Sequence, residues 1–151
     1  MPSSPAAPIW FTSWQPGPAA PHDTSAATLL VSVTEFAPRR PWTALGVTRA
    51  GFALRRAWPD VDGAIGVWLW TVPGLLRPRT GSVSLWHDEK DLHGFVARPD
   101  HRRIMRAYRD RGTLRATTWH TDRTDGPHGF DKSATLREAR EQITTWATAT
   151  P

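Results

Sequence analysis

The chain has 151 residues, with Lys+Arg 19 against Asp+Glu 14 for a net charge of +5, and no cysteine. That length builds one domain with its own core, and the missing cysteines exclude disulfides, thiol nucleophiles and thiolate metal sites. Met1 to Ala27 lacks the basic start and apolar run of a signal peptide, and no apolar run can span a bilayer, so a cytoplasmic protein with no membrane partner is expected.

The arginines Arg55, Arg56, Arg102, Arg103, Arg106, Arg109 and Arg111 are spread over helix faces among Asp and Glu, which favours solvated faces over a nucleic-acid groove. Tryptophan is the unusual component: there are nine, against one tyrosine. Aromatics at this density pack a core or wall a flat pocket.

Residues 1–26 form a Pro/Ala-rich N-terminal arm of a composition that resists regular structure, yet Ile9, Trp10, Phe11 and Trp14 lie within it. Two readings stay open, a flexible leader and an arm whose aromatics dock on the body or on a partner subunit. The domain proper runs from 27 to 151. Leu29, Val31 and Val33 alternate with Ser32 and Thr34 in a first strand ended by Pro38. Pro41 opens a helix through Trp42, Leu45 and Phe52 to about Trp58, weakened by Gly46 and Gly51. Residues 64–72 form a second strand, with Ile65, Val67 and Leu69 on one face and Trp68 and Trp70 on the other. A Pro/Gly turn leads into a third strand through Val83 and Leu85, making an antiparallel hairpin.

Asp88 and Glu89 then open a helix carrying Leu92, Phe95 and Val96, which Pro99 interrupts. From Asp100, a candidate cap, His101, Ile104, Met105 and Tyr108 recur at i, i+3, i+4 and i+7. His101 thus shares the apolar face and not that of Arg102, Arg103 and Arg106. Gly112 closes this helix, Leu114 to Thr121 alternates as a fourth strand, and Ser133 caps an extra C-terminal helix over 133–147 with Leu136, Ala139, Ile143 and Trp146 on one side. The order is α+β, a ferredoxin-like βαββαβ with a four-stranded antiparallel sheet and two helices on one face. The sheet's other face needs extra chain or a second subunit, so a homodimer is expected.

With this order, the phrase SLWHDEKDLHGFVARPDH resembles the dimeric α+β barrel superfamily, which includes antibiotic-biosynthesis monooxygenases, haem-degrading monooxygenases and the spheroidene monooxygenase type. The matching positions are Trp86, Asp88 and Glu89, Phe95 and His101, and the likeness spans about residues 27–121. The resemblance implies a dimer with one pocket per subunit between helices and sheet. In haem-binding relatives a histidine on this helix is the proximal ligand, so any haem iron would fall to His101. The Asn and Trp pairing of the haem-degrading branch is absent from the first strand and helix.

Several site residues follow. His101 is either a core histidine with one satisfied hydrogen bond, a metal ligand giving its second N–H to a carbonyl of the preceding turn, or a base toward a phenolic or enolic substrate. Trp86, Phe95, Met105, Tyr108 and Trp119 are candidate substrate contacts. Strand parity leaves two arrangements of the sheet open. In one, Trp68, Trp70, Trp86 and Trp119 wall the pocket and Arg115 meets a carboxylate or phenolate. In the other, the favoured one, they pack an interior interface, and the pocket takes Ile65, Val67, Leu69, Val83, Leu85 and Leu114 with His120 as a second pocket histidine.

His87, His93 and His128 share no face that would gather three metal ligands, and Glu35 and Asp110 lack the surroundings of a general acid. No phosphate loop or GxSxG elbow is present. The expected function is a small monooxygenase-like oxidoreductase acting on an aromatic or polycyclic metabolite, haem-dependent through His101 or cofactor-independent with His101, His120 and Arg115 as catalytic groups. A cyclase or isomerase of the same fold in secondary metabolism, and a non-catalytic small-molecule-binding dimer, are the alternatives.

Overall fold

The structure, a computed structural model, describes residues 7–19, 28–124 and 129–149. The elements run β1 (Trp10–Phe11), β2 (Gln15–Pro16), β3 (Thr28–Pro38), α1 (Thr43–Ala57), β4 (Ala64–Val72), β5 (Arg79–Trp86), α2 (Glu89–Val96), α3 (Pro99–Tyr108), β6 (Gly112–Asp122) and α4 (Lys132–Thr148). The sheet order is β1-β4-β5-β3-β6, with β2 also pairing β4, and every pairing is antiparallel. From β3 to β6 this is the ferredoxin-like βαββαβ arrangement. The sheet has six strands and not four, because the N-terminal arm adds two short ones.

The arm lies on the edge of β4. Thr12 N–H donates to Leu69 O (2.9 Å), Leu69 N–H to Thr12 Oγ1 (3.0 Å) and Gly17 N–H to Ile65 O (2.9 Å). An edge strand offers unpaired backbone groups, and the arm satisfies those of β4. Its aromatics are seated too: Trp14 packs on Trp68 with ring centroids 4.3 Å apart, over Gly66, where a Cβ would meet the indole at 2.0 Å.

Strand β3 is buried on both faces, with Leu29, Val31 and Val33 on one and Leu30, Ser32 and Thr34 on the other. Leu29, Val31 and Val33 join Trp68, Trp70, Val83 and Leu85 in one core cluster, closed by Phe130, Ala139 and Ile143. Leu30 faces the other way, into a second cluster with Trp58, Val61, Val67 and Trp86. A bulge between Ala64 and Gly66 shifts the register of β4, so Ile65 falls in with Trp68 and not with Val67.

The face expected to be bare is therefore covered within the chain, by α4 and the arm. The bare face was the physical ground for expecting a homodimer, and that ground is absent. Two arginines hold the C-terminal half of α4 down: Arg79 donates to Ile143 O (2.7 Å) and Arg115 to Trp146 O (3.1 Å). Cations at carbonyls near a helix C-terminus complement its dipole. Arg79 is itself paired with Glu35, buried at 3% exposure, through Nε and Nη2 to the same carboxylate oxygen. Glu35, which the sequence left without a special environment, thus anchors the clamp.

Among the described residues, no helix is long and apolar enough to cross a membrane. The clamp yields a measurable expectation. Arg79→Met strands the Glu35 carboxylate and should cost about 3 kcal/mol in urea unfolding, whereas the Glu35→Leu, Arg79→Met pair should recover most of that loss.

Candidate functional site

A cavity of about 550 Å³ lies between the sheet and the layer formed by α1, α2 and α3. It exists because of what β3 and β5 place beneath that layer. Ser32 pairs with Ser84 and Thr34 with Ser82 across the two central strands, so the middle of the floor is four short hydroxyl side chains where the opposite face packs Val31, Val33, Val83 and Leu85. Interior packing normally leaves few voids; here the side chains are too short to reach the helices.

The floor is polar but largely self-satisfied. Thr34 Oγ1 and Ser82 Oγ lie 2.8 Å apart, and Ser84 Oγ accepts from Trp86 Nε1 at 2.8 Å, which leaves the Ser84 hydroxyl proton free to donate. The walls are mostly apolar: Val47, Gly51 and Leu54 from α1, Phe95 from α2, and Ile104, Met105 and Tyr108 from α3. Gly46, a poor helix residue, has its reason here, since a Cβ would meet the Tyr108 hydroxyl at 2.4 Å. Trp10 and Thr12 of the arm close one side, and Arg55 of α1 fastens the arm by donating to Ser13 Oγ (2.9 Å). Trp10, Phe52, Val96 and Leu114 line the cavity yet stay 40–60% exposed, so they mark its mouth.

His101 enters from the first turn of α3. Asp88 caps α2 by accepting from Asp91 N–H (3.0 Å), and after Val96 the chain turns through Ala97 and Arg98 into Pro99, the first residue of α3. The cap expected of Asp100 takes another form. Its carboxylate accepts from His101 N–H (2.8 Å) and pairs with Arg98 (3.1 Å), which lowers its pKa.

The His101 ring packs on Phe95 (4.8 Å), and its Nδ1 lies 3.2 Å from Val96 O. A carbonyl can only accept, so Nδ1 carries the proton and Nε2 of the neutral ring holds the lone pair. Burial pushes the imidazole pKa below its ordinary 6.5, outweighing the Val96 hydrogen bond and the Asp100 charge, which both act upward. The ring is therefore neutral at pH 7, with no described group bonded to Nε2. That state suits a base, and equally a metal ligand with its second nitrogen tied to a carbonyl.

Of the other residues singled out in the sequence, Phe95, Met105 and Tyr108 line the cavity with His101. Trp86 lies just outside it, fully buried between Trp58 and Phe95 (5.3 Å from each), and supports the wall. Three are elsewhere. Arg115 and Trp119 lie on the α4 side of β6, where Arg115 holds Trp146 O and Trp119 Nε1 donates to Glu138 (2.9 Å). His120 has the parity of the cavity side but does not line the cavity and is exposed, on the edge strand β6.

The tryptophans split. Trp68, Trp70 and Trp119 pack with the α4 face and Trp86 with the helix layer, since β4 and β5 pair Trp68 with Val83 and so place Trp86 on the opposite side. Of the aliphatic alternative, Val67, Leu69 and Leu114 reach the cavity, while Ile65, Val83 and Leu85 face α4. His93 touches the rim, Asp110 is exposed, and His128 lies outside the described residues. Among the described residues, no three His, Asp or Glu side chains gather to hold a metal ion. The floor hydroxyls were missed by sequence reasoning, although serine and threonine at alternate positions inside an apolar strand are a signal that one face borders space.

No family model matches the chain, and no curated protein matches it in sequence. Solved structures do match its fold. A conserved protein of unknown function from Bacteroides thetaiotaomicron, a possible oxidoreductase, superposes with TM-score 0.53 at 8% identity, covering 64% of this chain and 100% of that one. A candidate monooxygenase from Lactobacillus acidophilus gives TM-score 0.51 at 7% identity over 66% of this chain and 49% of that one. SnoaB, a cofactor-independent oxygenase from Streptomyces nogalater, gives 0.47 at 16% identity over 68% and 99%. The two superpositions above 0.5 agree with the fold expected from the order of elements.

The floor can be tested directly. Ser32→Leu should fill part of the cavity, raising stability by about 1 kcal/mol while weakening binding of a planar probe such as anthrone by about tenfold. Thr117→Leu, on the α4 side, should leave probe affinity unchanged in the same tryptophan-quenching titration.

Proposed function

We propose that the chain is a small monooxygenase-like oxidoreductase that oxygenates an acidic aromatic substrate without a cofactor, with His101 as the base. The observation that carries this reading is His101 on the wall of a large apolar cavity, its Nδ1 tied to Val96 O, which leaves the lone pair of the neutral ring on Nε2. The fold neighbours described as a possible oxidoreductase and a candidate monooxygenase support the reaction class.

The chemistry asks little of the protein. Nε2 takes a proton from an activated CH₂ or phenolic O–H, and the resulting carbanion or phenolate passes one electron to O₂. Combination of the radical pair forms a C–O bond, and loss of water from the hydroperoxide leaves a carbonyl, so one oxygen atom enters the product and the other leaves as water. Arg115 has no part in this, being on the far face. Donors toward the developing oxyanion are the Ser84 hydroxyl, whose oxygen already accepts from Trp86, and the neighbouring Ser32. The apolar walls keep water from the anion and strengthen those hydrogen bonds.

With anthrone in air, oxygen uptake should fall about 10²- to 10⁴-fold in His101→Ala. The wild-type kcat/KM should decline as pH falls through the depressed imidazole pKa, below 6.5, and stay flat above it. The variant should lack that limb. Turnover that runs equally fast under nitrogen would instead point to the cyclase or isomerase reading.

The same tautomer supports a second reading. The side chains fit a haem on one count, the donor set: His101 would hold the iron through Nε2, with Val96 O fixing the ring. Bound haem would supply oxygen or peroxide activation, and the chain's part would be to hold and shield it. Added haemin should then give a sharp Soret band that His101→Ala shifts or abolishes; a broad, unshifted spectrum would remove this reading.

Stability carries its own pH signature. The folded pKa of His101 lies below the unfolded value, so the unfolded chain binds the proton more readily and stability present at neutral pH is lost as pH falls from 6.5 through the folded value.

A further inference from the structure

The two ends of the sheet differ in chemistry. At one end the strand register sets Pro38 beside Gly112 and Phe36 beside Thr80, and Arg39 N–H donates to Arg111 O at 2.9 Å. The entry to α1, the β4–β5 turn and the start of β6 therefore lie together. Four large apolar side chains stand in solvent there: Leu75 at 91% exposure, Leu76 at 83%, Leu45 at 73% and Trp42 at 65%. Around them Arg39, Arg40, Arg77, Arg109 and Arg111 are all exposed, against a single acid, Asp110. At the opposite end, where Leu30 meets Trp86 and Thr28 meets Asp122, the exposed charges are mixed: Asp60, Asp62, Asp88, Glu89 and Asp122 stand with Arg56 and Lys90, and Arg98 reaches Asp60 O.

We propose that the arginine-rich end docks on the surface of a membrane containing anionic lipid. Leu75 and Leu76, at the tip of a turn bounded by Pro73 and Pro78, enter the headgroup region, and the arginines around them meet lipid phosphates. Apolar side chains with a basic collar bind such surfaces by adding burial to charge attraction, and this needs no membrane-spanning segment. Trp42, with the Arg40 guanidinium 5.5 Å from its ring, has the amphipathic character favoured at headgroup depth.

Other occupants fit less well. A second copy joined by a two-fold axis at this end would set five arginines against five, and like charges at an interface disfavour it. A nucleic acid would use the arginines but leave Leu75 and Leu76 in water. The far end, with its mixed charges, suits an anionic surface less well than the arginine-rich end, which favours the orientation with the arginines facing lipid. Leu114, at the cavity mouth and 46% exposed, lies close along β6 to the docking end, so an apolar substrate could pass between lipid and cavity. The docking itself does not depend on what the cavity does.

Sedimentation with vesicles tests this on the full chain. Vesicles of phosphatidylglycerol and phosphatidylcholine in equal parts should bring the protein down at low salt, pure phosphatidylcholine should not, and raised salt should release it. The Leu75→Ser, Leu76→Ser double variant should lose about tenfold in partitioning with its melting temperature unchanged, because both side chains are already in solvent. An Arg102→Ser, Arg103→Ser control on α3 should bind as wild type. Failure to sediment with either vesicle would overturn the proposal, as would binding that ignores the leucine substitutions. Self-association in solution that the leucine substitutions abolish, without vesicle binding, would assign the surface to a second copy and overturn it as well.

Discussion

Much of this fold depends on one guanidinium. Arg79 sits between the Glu35 carboxylate and the Ile143 carbonyl, so a single side chain ties β3, β5 and α4. Burying that charge is worthwhile only because its partner and its hydrogen bonds are all present. With α4 held down, one face of the sheet becomes a packed core and is closed to ligand. Any chemistry is thereby confined to the other face, under α1, α2 and α3. The arm adds to the same outcome by capping the edge of β4 and closing one side of the cavity with Trp10 and Thr12.

The element order was legible in the sequence because most strands and helices carry clean signals. Pro38, Pro99 and Gly112 fall at or beside element boundaries, and Leu29, Val31 and Val33 alternate with polar residues in a way that only a strand satisfies. The α3 face was legible for the same reason: His101, Ile104, Met105 and Tyr108 line the cavity together. Less legible was which face each strand turns toward it. Parity groups residues within one strand, but relating β4 to β5 needs their register, and the bulge at Ile65 changes parity inside β4 itself. That is why the four strand tryptophans looked like one set and are two, and why Arg115 was placed in a pocket that lies behind it. The role of α4 was hidden for a different reason. Its apolar side is visible, but an intramolecular cover and a partner subunit leave the same pattern in the sheet.

The cavity and the histidine belong together physically. A neutral imidazole with a free nitrogen is poorly kept in a tightly packed core, where that nitrogen would be a buried acceptor without a partner. Beside an open space the same nitrogen costs little, because a water or a substrate proton can reach it. The short floor residues Ser32, Thr34, Ser82 and Ser84 make that space, and the Val96 carbonyl decides which nitrogen faces a ligand. A larger residue at either central serine would change the histidine's circumstances without touching it.

Burial and hydrogen bonding oppose each other at His101, and their balance shapes what the site can do. The Val96 carbonyl and the Asp100 charge both favour the imidazolium, while desolvation disfavours it and prevails. Had Asp100 been free, its charge would act more strongly on the ring; instead Arg98 engages both carboxylate oxygens, and the carboxylate is spent on an ion pair and on the His101 backbone N–H. The Arg98–Asp100 pair at the start of α3 thus helps keep the ring neutral from outside the cavity. A base held neutral in this way is ready to accept a proton at pH 7, and one held charged would not be.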